Sequence, residues 1–228
     1  LYITLFSVHG LLRSENLELG RDLDTGGQVR YVLEFARALS ERDDVRKVDL
    51  FTRLIKDKTV SPDYAKPIER VSDKFRIVRI QCGGSKYIRK ELLWPHLDEF
   101  VDKTLKFVKD DGELPDIVHG HYPDAGYVAN ELATLWGVPL IYTGHSLGRE
   151  KKSMLLANGM SEAEMNKRFK LDHRISVEEE LIGKADLIIT STTHEAENQY
   201  SAYGASASAH FSVIPPGIDT DKFFPFYD

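Results

Sequence analysis

Strand-length apolar runs alternate along this chain with stretches of helical period, and that alternation leaves few folds open. The apolar runs are residues 1–8, 47–53, 75–81, 116–119, 140–143, 186–190 and 211–214; the helical stretches are 28–41, 95–109, 125–136, 162–183 and 193–203. A strand that returns to its own sheet through a helix does so by a right-handed crossover. The pattern therefore predicts an α/β fold with a Rossmann-like, doubly wound parallel sheet. Near-continuous apolar strands such as Leu187-Ile188-Ile189 fit burial on both faces.

Local signals support the helices. Ser161-Glu162-Ala163-Glu164 and Thr192-Thr193-His194-Glu195 have capping-box spacing, a hydroxyl followed three residues later by a carboxylate. Gly137 and Gly204 stand where a helix C-terminus favours a left-handed residue, and Pro95 suits a first helical turn. Residues 55–73, polar and carrying two prolines, are expected to be a long loop.

Composition narrows the partners. A net charge of −6 argues against a nucleic acid or an anionic membrane as the main partner. Cys82 is the only cysteine, which rules out an intrachain disulfide and suits a reducing, cytoplasmic setting. No apolar run approaches the ~20 residues of a membrane-spanning helix. The chain starts without methionine and is expected to be a processed or excised piece.

The chemistry gathers behind the predicted strands, where open parallel sheets bind ligands. Thr143-Gly144-His145-Ser146 follows the strand at 140–143 and leads to Lys151, offering a sugar-hydroxyl partner and an anion partner close together. Asp24-Thr25-Gly26-Gly27-Gln28 opens the first helix. Its glycines allow close backbone approach, its free N–H groups favour an anion, and Gln28 can orient a sugar oxygen. The plainer alternative is a glycine turn that merely starts a helix, and no Gly-x-Gly-x-x-Gly fingerprint is present. Gln81-Cys82-Gly83-Gly84-Ser85-Lys86-Tyr87 could bring Lys86 to an anion, although a lone lysine on a turn is more often solvated. Lys170 and Arg174, four apart on the helix from 162, are expected to share one face, a pairing that suits a phosphate as well as a surface helix. His119, His121 and Asp124, with His145, invite a metal reading. Taken as diverging from their strand, the two histidines could meet one ion only beyond its end, so sugar contact or a structural hydrogen bond is preferred and no metal site is assigned.

Together these segments resemble the sucrose-phosphate synthase family, retaining glycosyltransferases of the two-domain GT-B fold. The resemblance is carried by residues 9–22 (His9-Gly10-Leu11-Leu12-Arg13 onward), Asp24 to Gln28, Lys90-Glu91-Leu92-Leu93-Trp94-Pro95-His96, His119 to Ala125, Thr143 to Lys151 and Val213 to Gly217. It implies the amino-terminal half of a GT-B fold, with residues 1–219 as the acceptor domain and 220–228 as the start of a linker to a carboxyl-terminal donor domain. It also implies transfer of glucose from UDP-glucose to fructose 6-phosphate with retained configuration. Carried over by motif, Gly26 and Gly27 would present backbone to the donor diphosphate and the reacting centre, and His145 would contact the donor glucose. Gln28, Lys86, Tyr122, Ser146, Lys151 and Arg174 would hold fructose 6-phosphate. No cofactor is implied beyond the co-substrate UDP-glucose, with magnesium stimulatory rather than required. Without a donor domain the chain is expected to bind its acceptor weakly, to turn over little, and to expose an apolar interdomain face that includes the residues after Pro215.

Sucrose synthases share the Asp24 to Gln28 pattern but differ around Gly144 to Ser146, and a mannosylfructose-phosphate synthase would differ in its donor. Alternatives of other classes are a sugar-phosphate-binding module without catalysis and a hydrolase with a metal on His119, His121 and His145.

Overall fold

The computed structural model describes residues 1–218 and Thr220. The first apolar run forms β1 (Tyr2–Phe6), buried along its whole length. A long loop leads to α1 (Gly27–Glu41), whose buried stripe of Val29, Val32, Leu33, Ala36 and Ser40 keeps helical period. There follow β2 (Lys47–Arg53), β3 (Ile68–Arg70), β4 (Phe75–Ile80), α2 (Leu97–Asp111), β5 (Ile117–His121), α3 (Pro123–Trp136) and β6 (Leu140–Thr143). The chain continues through α4 (Gly148–Ala157), α5 (Glu162–Phe169), α6 (Leu171–Lys184), β7 (Leu187–Thr190) and β8 (Phe211–Val213).

The strands make one eight-stranded sheet in the order β3-β4-β2-β1-β5-β6-β7-β8, parallel except where β3 runs against β4. Alternating strand residues face opposite sides. Ile3, Leu5, Val48, Leu50, Phe75 and Ile77 pack with α1, whereas Phe6, Phe51, Val78 and Ile80 join Phe100, Val128 and Leu132 of α2 and α3 on the other face. Each such fully buried side chain contributes roughly 1.5–3 kcal/mol, so both faces must be covered and the doubly wound sheet follows. Among the described residues no helix is long and apolar enough to cross a membrane.

The structure departs from the sequence expectations in several places. Residues 55–73 hold a 3-10 turn (Pro62–Ala65) and the antiparallel edge strand β3. Pro95 lies in a 3-10 turn (Trp94–His96) ahead of α2 rather than in the helix itself. The helix expected over 162–183 is broken at Lys170, which adopts a left-handed conformation (φ 54°, ψ 37°). Met165 and Leu171 are both buried; six residues turn a straight helix by about 240°, so no single helix could bury both on one face. The break also leaves Lys170 exposed while Arg174 is buried, so these two cations do not share a face.

Ser161, before α5, and Thr192, beyond β7, do cap, accepting from the amides of Glu164 and Glu195. The segment after Thr192, however, forms a π turn (Glu195–Gln199) and 3-10 turns, because buried Tyr200 and Tyr203 are tied to Gly144 and Glu178. Gly137 is left-handed as expected (φ 67°), but the chain leaves Tyr203 extended (φ −99°) and Gly204 needs no positive φ. Leu92, Met154 and Ile218 are exposed apolar residues, whereas the expected 220–228 linker lies outside the described residues apart from Thr220.

Candidate functional site

The carboxyl ends of β1, β5 and β6 converge on the amino terminus of α1. Gly26 caps α1 without a side-chain hydrogen bond, and the first turn carries no acidic residue. Gly26 and Gly27 are exposed, and a Cβ on either would meet nothing within 4 Å. Packing therefore does not require these glycines, and the free N–H groups with the positive end of the helix dipole are left open to an anion. The β1 loop closes in from one side because Gly10, at φ +87°, brings its Cα against Asp24, where a Cβ would stand 2.6 Å from the Asp24 carbonyl oxygen. Gln28 donates from Nε2 to the His121 carbonyl at 3.4 Å, tying α1 to the end of β5.

Beside this terminus lies a pocket lined by Lys90, Glu91, Trp94, Tyr122, Asp124, Lys151, Phe169 and Arg174, enclosing about 280 Å³ with its open mouth. Its charges are compensated with one exception. Lys90 pairs with Asp24 through its ammonium and donates its backbone N–H to the same carboxylate at 2.9 Å. Burial opposes ionisation of Asp24, but the Lys90 bonds prevail and hold it below the usual carboxylate range. Asp124 accepts from the Ala125 amide at 2.8 Å, and its carboxylate lies 2.8 Å from His9 Nδ1, both side chains being buried.

Arg174 is spent on the protein. Its Nε donates to Glu178 at 2.8 Å, Nη1 to the Tyr122 hydroxyl at 2.6 Å, and Nη2 to the Ser146 carbonyl and hydroxyl at 2.7 and 3.1 Å. Glu178, fully buried, also accepts from the Gly148 amide at the start of α4 and from the Tyr203 hydroxyl. Lys151 is the exception: its ammonium lies 4.1 Å from the Phe169 ring centroid and, among the described residues, has no hydrogen bond or carboxylate partner. Burial first, then the neighbouring Arg174 and Lys90 cations, lower its pKa below the usual lysine range. An uncompensated, half-buried cation beside two others is a place for an anion.

A column of three histidines runs behind the pocket. His119 and His121 stack at 4.0 Å between ring centroids, and His121 Nδ1 lies 3.0 Å from His145 Nε2. His119 Nε2 bonds Thr143 Oγ1 at 2.9 Å. This corrects the expected divergence of the pair: residues two apart in a strand face the same side. Their nitrogens bond Thr143 and one another instead of converging, and no group of three or more ligands among the described residues comes together to hold a metal ion. Burial lowers the pKa of His119 and of His145 to about 3, with His145 weighing further on the first and His9 on the second; His121 is pushed well below the usual range. All three are neutral at pH 7.

Gly26, Gly27, Gln28, Tyr122, His145, Ser146, Lys151 and Arg174 are thus brought to one edge of the sheet. Tyr122 and His145 hold positive φ (76° and 60°), strain that the surrounding bonds must support. Lys86 is not brought there: it is exposed on a loop whose carbonyls at Cys82, Gly83, Gly84 and Lys86 accept from buried Arg53. Lys90 occupies the pocket instead. Sequence reasoning missed His9, Asp24, Lys90, Trp94, Phe169 and Glu178 as site residues. The first four lie within or beside the quoted motifs, but Phe169 and Glu178 come from a helix pair that looked like a surface helix.

A family model described as Glycosyltransferase Family 4 matches residues 25–222. The chain is 41% identical to sucrose-phosphate synthase 4 of Arabidopsis thaliana and 42% identical to a sucrose-phosphate synthase of Zea mays, each over 96% of its own length. It spans about a quarter of the length of these curated relatives, 25% in both cases. Among solved structures it is similar to a sucrose-phosphate synthase from Thermosynechococcus elongatus, with a TM-score of 0.77 and 27% identity over 98% of this chain and 50% of that one. It shares its fold with the catalytic domain of starch synthase IV from Arabidopsis thaliana, bound to ADP and acarbose, at a TM-score of 0.58, 16% identity and coverage of 97% and 52%.

Proposed function

Because the chain belongs to glycosyltransferase family 4 and carries the Rossmann-like amino-terminal fold of GT-B enzymes, we propose that it is the acceptor domain of a sucrose-phosphate synthase. Such an enzyme transfers glucose from UDP-glucose to fructose 6-phosphate with retained configuration, giving sucrose 6-phosphate and UDP. The observation that carries this reading is Lys151, a half-buried cation without a charge partner among the described residues, in a pocket that opens beside the free amino terminus of α1.

In this reading the acceptor phosphate neutralises Lys151, with Arg174 and Lys90 flanking it; Lys90 takes the part expected of Lys86. Arg174 contributes mainly by fixing Tyr122 and Ser146, which with Gln28 contact the sugar. The donor diphosphate meets the backbone of Gly26 and Gly27, where a helix terminus favours an anion by roughly 0.3–1 kcal/mol, up to about 2 when partly buried. Glycosyl transfer develops positive charge on the sugar while the diphosphate departs, so placement and charge stabilisation matter more than a protein nucleophile. A neutral His145 suits that centre, since a cation there would oppose the developing charge. The departing diphosphate guides the acceptor proton, and no side chain is assigned as general base. Donor binding and turnover require the partner domain of the GT-B fold, and no metal is assigned.

Calorimetric titration with fructose 6-phosphate, with fructose as control and Lys151→Ala beside the unaltered chain, tests the reading. Selective binding of the phosphorylated sugar, lost in the variant, is expected. Equal binding of both sugars would overturn the phosphate assignment and turn the reading towards a sucrose synthase.

A further inference from the structure

His121 is buried on every side, does not line the pocket, and yet lies directly behind His145. Its carbonyl holds Gln28, its ring packs on His119 at 4.0 Å, and its Nδ1 lies 3.0 Å from His145 Nε2. Its other nitrogen, Nε2, is sealed from solvent without a partner. One proton must sit between Nδ1 of His121 and Nε2 of His145, and two neutral arrangements can supply it. If His145 donates, His121 carries its own proton on Nε2, where a buried N–H is orphaned. If His121 donates, its Nε2 is a bare lone pair. Orphaned buried donors are rarer than under-used buried acceptors, so the second arrangement is favoured. His145 then carries its proton on Nδ1, a nitrogen with no partner among the described residues on a half-buried ring. The Tyr31 and Phe35 rings lie edge-on to His121 at 6.1 and 6.0 Å.

We propose that His121 is a positioning residue: its Nδ1–H donates to His145 Nε2 and holds His145 as the Nδ1–H tautomer, which presents a neutral N–H donor to an oxygen of the bound sugar. The sugar half of this statement rests on the placement of His145 at the donor glucose; the tautomer half does not. A ring free to exchange tautomers would offer a lone pair as often as a donor, and its left-handed backbone (φ 60°) would not restrain the side chain. Metal ligands and catalytic triads use the same device, in which the partner of one ring nitrogen sets what the other presents.

The test is a long-range nitrogen–proton correlation spectrum of the full chain with labelled histidine at pH 7, which reads the tautomer of each ring without any sugar present. The expected result is a protonated Nδ1 and a bare Nε2 on both His121 and His145. In His121→Asn, whose amide can donate from nearly the place of Nδ1, His145 keeps this tautomer; in His121→Phe it becomes a mixture. A protonated Nε2 on His145 in the unaltered chain, or an unchanged Nδ1–H in His121→Phe with the native fold retained, overturns the proposal. If His121→Phe does not fold, the unaltered chain and the asparagine variant still decide. Fructose 6-phosphate titration of the same samples keeps the outcomes separate, since its failure bears on the acceptor reading and leaves the tautomer result standing.

Discussion

Two ion pairs on α6 have the same spacing and opposite surroundings, and they should respond to mutation very differently. Arg174–Glu178 and Lys184–Glu180 both span four residues; the first pair's side chains are 5% and 0% exposed, the second pair's 51% and 50%. In Glu178→Ala the buried guanidinium loses its carboxylate, and the Gly148 amide and the Tyr203 hydroxyl lose their acceptor. Removing one partner of a buried pair costs about 3–5 kcal/mol. At roughly 2–4 °C per kcal/mol for a domain of this size, the Tm should fall by about 6–20 °C. Lys184→Ala breaks a solvated helix pair valued at roughly 0.3–0.5 kcal/mol and should shift the Tm by no more than about 2 °C. Urea unfolding with parallel calorimetry measures both. Replacing the whole pair, as Arg174→Met with Glu178→Leu, should recover only the part due to the unpaired guanidinium, because the Gly148 amide and the Tyr203 hydroxyl still lack their acceptor. The same double variant should still lose acceptor binding, since Tyr122 and Ser146 lose their clamp. A Glu178→Ala loss within about 1 kcal/mol of the Lys184→Ala loss would refute the reasoning that burial decides the worth of these pairs.

The histidine column gives a pH dependence. Its folded-state pKa values lie below that of an unfolded histidine, about 6.5, so between about 6.5 and about 3 the unfolded chain binds protons that the folded chain refuses. Stability is therefore full above pH 6.5 and declines as the pH falls, by on the order of 2 kcal/mol per histidine at pH 5; a urea midpoint unchanged between pH 7 and pH 5 would contradict this. Gly27→Ala should leave the Tm unchanged or raise it slightly, because a Cβ there meets nothing and alanine favours helix by up to about 1 kcal/mol. Under the proposed function the same variant should weaken binding of a nucleotide diphosphate sugar about tenfold, and unaltered affinity would argue against close approach at α1. Tyr122→Phe orphans Arg174 Nη1 and should cost about 1–3 kcal/mol in urea unfolding.

The sheet was readable because burial on both faces writes strands as continuous apolar runs, and each run from Tyr2–Phe6 to Phe211–Val213 became a strand. What escaped was set by tertiary anchoring. The break at Lys170 follows from burying Met165 and Leu171 together, and the irregular turns after Thr192 follow from two buried tyrosine hydroxyls, neither of which has a local signal. That Gly26, Gly27, His145 and Lys151 stand together was legible because each lies just past a predicted strand or at the start of a predicted helix. Lys86 had the same local appearance. It differs only because Arg53, from a distant strand, holds its loop by the carbonyls. Glu178 stands in a run of three glutamates, and only the fold tells it, fully buried, from Glu179 and Glu180.

The reversed edge strand β3 also bears on the order in which the chain finds its fold. It pairs with β4 across a short turn (Glu69 opposite Ile77), whereas the two halves of the parallel sheet meet through contacts such as Tyr2 with Asp116, 114 residues apart. Closing a short loop costs far less chain entropy than closing a long one. The β3–β4 ladder is therefore expected to form first, with the meeting of β1 and β5 expected late. The candidate site lies at the carboxyl ends of the strands along that seam, so it is expected to come into being with the last step of folding and not before it.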